Sequence, residues 1–229
     1  MWEDLKLYGR ERERIQVDRV LAAARSGRGS ALVLSGDPAI GKTALLRAAL
    51  DQATGFRVLR CEGIRAESGL DYAALHELLL PVADRLPLLP PAQARALGVV
   101  LGLDSGPAEA FLVGAALVRL LTELAAERPL LLIVDEARLV DPESARAIVF
   151  AIRRLTAAPV ALLVALRDDP ADTLWRDLPA LARHRSVRRR VAPLARRAVR
   201  PAGRAATIPD PHPGRRKPAG PARIAGCGR

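Results

Sequence analysis

One stretch limits what this chain can fold into more than any other. Gly36-Asp37-Pro38-Ala39-Ile40-Gly41-Lys42-Thr43 fills every fixed position of the phosphate-loop pattern G-x-x-x-x-G-K-[ST]. The apolar run Ala31-Leu32-Val33-Leu34 before it predicts a buried strand. The Ala/Leu-rich segment 43–52 after it predicts a helix. The chemistry needs that order. A strand delivers the chain to a tight turn, and glycines let backbone N–H groups close on phosphate oxygens. The following helix adds its positive end. Lys42 is expected to reach the β- and γ-phosphates of a nucleotide such as ATP, and the Thr43 hydroxyl to bind Mg²⁺. The bland alternative, a Gly-Pro turn that fits the pattern by chance, does not explain the flanking strand and helix.

The second informative stretch is Leu130-Leu131-Leu132-Ile133-Val134-Asp135-Glu136. Its apolar run predicts a strand buried on both faces, as in a parallel sheet. Two carboxylates stand at its C-terminal end, where open α/β sheets bind ligands. Downstream of a full phosphate loop this reads as a Walker B element. Asp135 is expected to hold Mg²⁺ through water, and Glu136 to act as general base on the attacking water. A strand ending in a polar turn is the plain reading.

Other residues leave alternatives open. A strand is predicted over 159–166, with Arg167 at its end. Arg167 either contacts the γ-phosphate or pairs with Asp168 or Asp169. Arg153 and Arg154 end the preceding helix, as trans-acting groups or as a solvated helix end. Gly9-Arg10 alone reads as a turn with a solvated charge. His76 has no second His or Cys near it and reads as an ordinary histidine.

The rest of the pattern is helical or extended. Helices are expected over 15–24, 71–80 with Asp71 as cap, 92–101, 109–127, and from Asp141 to about 155. A second strand is expected over 56–60, bounded by Gly55 and Gly63. The sum is a three-layer α/β domain with a mainly parallel sheet, over residues 1–185. Hydrophobic residues make up 50% of the 229, so a core is available, and aromatics only 3%, so it must be aliphatic. The longest apolar run, 110–118, is far short of the ~20 residues of a spanning helix. No basic start followed by an apolar block opens the chain. Cys61 and Cys227 form neither a metal spacing nor a disulfide framework. A cytoplasmic protein without a membrane partner is expected.

The net charge of +11 lies wholly in residues 186–229, which hold eleven Arg, one Lys and one acid. The globular part is neutral and gives no support to DNA binding. The segment 186–229 is rich in Arg, Pro and Ala, and is expected to be disordered. It reads as a basic arm for nucleic acid, although it lacks an aromatic to stack on bases. The other reading is a frame slip in a GC-rich gene, which composition favours. Reading the gene in its other two frames decides between them.

Four segments together resemble a known family: Leu7-Tyr8-Gly9-Arg10-Glu11, residues 36–46, residues 130–144, and residues 161–169. They are similar to the AAA-like ATPase module of large ATP-binding LuxR-family transcriptional regulators, of the signal-transducing STAND class of P-loop NTPases. The resemblance implies that Gly9 and Arg10 lie near the adenine and that Arg167 is a sensor at the end of a core strand. It implies ATP and Mg²⁺ as ligands, and self-association as an open prospect. Leu139 and Arg138 stand where the family commonly has Trp and Gln. The family continues into a helical lid, a helical repeat region and a helix-turn-helix, so the chain is expected to be a truncated regulator. Three functions stay in view: an ATP switch with slow or conditional hydrolysis, a module that holds nucleotide without turnover, and a nucleic-acid binder acting through 186–229.

Overall fold

In the computed structural model the described residues are 10–167, 174–178 and 180–186. Gly9, Asp168, Asp169 and the basic segment beyond Ser186 lie outside them. The strands are β1 (Ser30–Gly36), β2 (Arg57–Glu62), β3 (Leu130–Asp135), β4 (Val160–Leu166) and β5 (Ala180–Ser186). They form one five-stranded sheet in the order β2-β3-β4-β1-β5. Every pair in it is parallel. The three-layer α/β fold expected from the sequence is the fold observed.

Strand alternation builds two cores. Ala31, Val33, Leu130, Leu132, Val134, Leu162 and Val164 face one side of the sheet. Leu32, Leu34, Leu131, Ile133 and Leu163 face the other. Both sides are buried, so the strands read as unbroken apolar runs. Against the second side pack α1 (Glu11–Arg25) and α2 (Lys42–Gln52) through Val17, Val20, Leu21, Leu45 and Leu46. The first side is covered by α3 (Ala73–Leu79), α4 (Pro91–Val100), α5 (Ala110–Glu127) and α6 (Pro142–Ile152). Residues Leu80–Leu88 form a 3₁₀ segment. Among the described residues no helix is long and apolar enough to cross a membrane.

Two expectations need correction. Asp71 does not cap α3, whose N-cap is Tyr72, in the left-handed region at φ 63°. The cap comes from elsewhere in the chain. Asp141 accepts from Tyr72 N–H (2.8 Å) and Ala74 N–H (3.1 Å), and also from Ser144 N–H (2.8 Å) at its own helix. The Ser144 hydroxyl accepts from Leu75 N–H at 2.8 Å. One buried carboxylate thus satisfies orphan amides at the starts of both α3 and α6. The second correction is β5, which pairs with β1 where no strand is expected.

The strand order matters for the site. β4 lies between the phosphate-loop strand β1 and the Walker B strand β3. Its C-terminal residue, and Arg167 after it, therefore stand between the two motifs. Because α6 returns the chain to the start of β4, Arg153 and Arg154 lie at the opposite end of the strands from the phosphate loop.

Candidate nucleotide site

The phosphate loop is built by backbone conformations that few residues adopt. Ala39 has φ 59° and Gly41 φ 96°, both left-handed. At Gly41 a Cβ would meet nothing within 4 Å, so it is the backbone angle, not space, that calls for glycine there. Ile40 N–H closes a turn on Asp37 O at 3.4 Å. Gly41 is the N-cap of α2 and supplies no side-chain cap; no acidic residue occupies the first turn. The first amides of α2 therefore remain for an anion.

Lys42 is 6% exposed, and its Nζ donates to Gly36 O and Asp37 O at 3.1 Å each. Its pKa is lowered from the ordinary lysine value, chiefly by burial. Arg167 lowers it further, while Glu136, Asp135 and Asp37 pull it up. This is a buried cation whose hydrogen-bond partners are neutral carbonyls.

Thr43 Oγ1 donates to Asp135 Oδ2 at 2.9 Å, joining motifs 92 positions apart. Asp135 Oδ1 accepts from Glu136 N–H at 2.9 Å. Glu136 itself sits at φ 44°, ψ 42°, a conformation sparse for a residue with a Cβ. That turn swings its carboxylate off the strand line. Arg167 Nε lies 3.4 Å from Glu136 Oε2, so among the described residues its acidic partner is Glu136; Asp168 and Asp169, the partners the sequence offered, lie outside them. Arg10 donates through Nη2 to Ile40 O in the phosphate loop, and through Nη1 to the buried Glu13 at 2.7 Å. The fold thus brings Arg10, the loop from Gly36 to Thr43 (with Pro38 and Ala39 exposed at its crest), Asp135, Glu136 and Arg167 to one end of the sheet.

Two supports of the Glu136 turn were not singled out from the sequence. Trp175 is buried, and its indole N–H donates to Ala137 O at 3.1 Å. It is one of only two tryptophans in the chain, which was its sole signal. Gly63 N–H donates to Asp135 O at 3.0 Å, and a Cβ on Gly63 would stand 2.4 Å from Glu136 O and 2.7 Å from Val140 N. Those atoms are backbone and cannot swing aside. Gly63→Ala is expected to cost about 1–3 kcal/mol in a urea unfolding curve. It should also displace Glu136, lowering turnover more than nucleotide affinity.

The donor set fits a magnesium nucleotide. Uncapped helix amides and a buried lysine suit phosphate oxygens. A hydroxyl and a carboxylate in contact suit a hard cation that takes oxygen ligands. Residues 6–164 match the family described as AAA ATPase domain. The chain belongs to that family. An AAA ATPase domain binds nucleotide, typically with Mg²⁺, and can hydrolyse it.

Solved structures similar to this AAA ATPase domain include the HORMA:CdnC:Trip13 complex of E. coli MS115-1, at 15% identity and TM-score 0.43 over 79% of this chain and 64% of that one. PCH-2 of C. elegans follows at 12% and 0.43, covering 76% and 41%. Drosophila ORC bound to AT-rich DNA and Cdc6 is similar at 15% and 0.43, covering 77% and 53%. The domain thus spans less than two thirds of each of these chains. No curated protein matches it.

Proposed function

We propose that this AAA ATPase domain binds Mg-ATP and hydrolyses it slowly or conditionally, as the switch of a transcriptional regulator of the ATP-binding LuxR, STAND-class type. The observation that carries the reading is the contact set at the strand ends: Thr43 on Asp135 at 2.9 Å, and Arg167 against Glu136 at 3.4 Å. Lys42 and the loop amides from Gly36 to Thr43 hold the phosphates. Thr43 and Asp135 hold Mg²⁺, which when bound neutralises charge that develops between the β- and γ-phosphates. Glu136 takes a proton from water. Arg10 lies on the adenine side and steadies Ile40 of the loop.

Arg167 is the part that reads the nucleotide's state. Its charge is shared with Glu136 when no γ-phosphate competes. A γ-phosphate offers a stronger anionic partner, so the triphosphate form frees Glu136 for water. A switch needs such a difference in contacts between the two states. The support for the LuxR and STAND assignment is the sequence resemblance over residues 7–180. Self-association through the module is part of the same proposal, whereas nucleic-acid binding through the basic segment 186–229 is a rival to it.

The test is affinity for a slowly hydrolysed ATP analogue against ADP, each with Mg²⁺. The wild type should distinguish them by about 5- to 150-fold, and Arg167→Ala should bring the two affinities together. Equal affinities in the wild type would sink the switch and leave a module that merely holds nucleotide.

A further inference from the structure

The outer edge of β2 runs from a charged corner at Phe56–Val58 to Arg60 and Glu62, which line a cavity with Thr43 and Asp135. Arg57 N–H donates to Pro129 O at 2.8 Å and Gly63 N–H to Asp135 O at 3.0 Å. The parallel ladder to β3 therefore uses the backbone of residues 57, 59, 61 and 63. Val58, Arg60 and Glu62, in between, turn their N–H and C=O groups outward. Glu77 covers one of these, accepting from Glu62 N–H at 2.9 Å. Among the described residues nothing takes the outward groups of Val58 and Arg60. Such an edge is a template for another strand.

The start of this edge is charged. A cavity of about 310 Å³ there is lined by Phe56, Arg57, Val58, Pro81, Arg85 and Arg128 with their neighbours. Glu127 already accepts from both Arg57 (2.8 Å) and Arg85 (2.6 Å). Asp84 stands 3.8 Å from Arg85 with a side chain 78% exposed, a weak pairing. Among the described residues, Nη1 of Arg57 is buried with no partner, and Arg128 is exposed with none. Three guanidinium groups against two carboxylates leave the corner positive. A buried guanidinium N–H without an acceptor is costly, and a carboxylate seated there removes that cost.

We infer that the β2 edge is a docking strand for an extended, carboxylate-bearing segment of a partner protein. Its main chain pairs with Val58 and Arg60, and an acidic side chain seats between Arg57 and Arg128. Main-chain pairing supplies affinity and the arginine corner supplies selectivity. The chain's own segment 186–229, with eleven Arg, one Lys and one acid, has the wrong charge to be the occupant.

The test is fluorescence anisotropy on the full chain. The probes are a labelled octapeptide of alternating glutamate and valine, its lysine–valine counterpart, and a short oligothymidylate. The acidic peptide should bind saturably and the basic one should not. Arg128→Glu, at an exposed and unpaired position, should weaken binding about tenfold or more. Arg60→Pro removes an outward N–H where an edge strand tolerates proline, and should bind less well than Arg60→Gln, which keeps that N–H. The proposal is overturned if the acidic peptide does not bind, if the basic peptide binds equally, or if Arg60→Pro and Arg60→Gln behave alike. Oligothymidylate binding that depends on Arg128 but not on Arg60→Pro, without acidic-peptide binding, would overturn it in favour of a nucleic-acid patch.

Discussion

Replacing Lys42 with alanine is expected to lower Mg-ATP affinity about 10- to 150-fold and turnover by about a thousandfold, while the nucleotide-free protein unfolds no more easily. The two halves of that result have one cause. Lys42 is a nearly buried ammonium whose pKa is lowered chiefly by burial. Its charge is disfavoured where it stands until phosphate oxygens surround it. Removing it takes away the main charge partner of the nucleotide, yet also removes a desolvation cost from the fold. The hydrogen bonds to Gly36 O and Asp37 O are lost; Asp37 is exposed, so water replaces the lysine there, and the lost bond at the buried Gly36 is set against the desolvation cost removed. The pH dependence has a definite sign. A lysine lowered in the fold binds fewer protons there than in the unfolded chain, so the nucleotide-free fold gains stability as pH rises through the lowered value. Affinity for Mg-ATP runs the other way and falls over the same range, below the ordinary lysine value of 10.5. Titration calorimetry and thermal melts on both proteins measure all of this. A variant that binds Mg-ATP like the wild type would remove Lys42 from the site.

The parts of this fold legible in the sequence are those whose cause is local. Strands β1, β3 and β4 announce themselves because both of their faces are buried, the half-buried β2 through its bounding glycines, and the phosphate loop because its glycines, lysine and threonine are adjacent in the chain. The first four strands, β1 to β4, follow from such local signals, and the helices between them from apolar spacing and their Gly and Pro stops. What the sequence hid is long-range. The cap of α3 is Asp141, 69 positions from Tyr72, and a nearer aspartate, Asp71, was the obvious local candidate. Arg167 meets Glu136 on the neighbouring strand's end, a contact between residues 31 positions apart that no local pattern announces. Gly63 looked like a strand boundary, yet a Cβ there would strike the Glu136 turn. Strand β5 escaped because Ala180–Ser186 carries Arg, His and Arg among its residues and no apolar run. Its place beside β1 is set by pairing with that strand, not by its own pattern. The candidate residues could therefore be named from the chain, and the contacts between them could not.

Glu136→Gln is expected to keep or raise Mg-ATP affinity and to lower turnover about 10²- to 10⁴-fold, the range for loss of a general base. The substitution keeps size and shape, so the left-handed turn at φ 44° persists, as does the N–H donated from residue 136 to Asp135 Oδ1. The hydrogen bond between Thr43 and Asp135 is untouched. What changes is one charge. Its contact with Arg167 is partly exposed, at 29% and 44% for the two side chains, so its loss costs the fold no more than about 1 kcal/mol. A drop in turnover cannot then be charged to unfolding. The variant also loosens Arg167 from its partner, which leaves that cation freer for a γ-phosphate. Triphosphate should therefore accumulate on Glu136→Gln, giving a protein held in its triphosphate form. Single-turnover hydrolysis beside equilibrium binding separates the two functional readings. Measurable wild-type turnover that vanishes in the variant, with binding retained, supports a hydrolytic switch with Glu136 as base. Wild type and variant that bind alike and turn over neither would instead make this a nucleotide-holding module, in which Glu136 serves only to anchor Arg167.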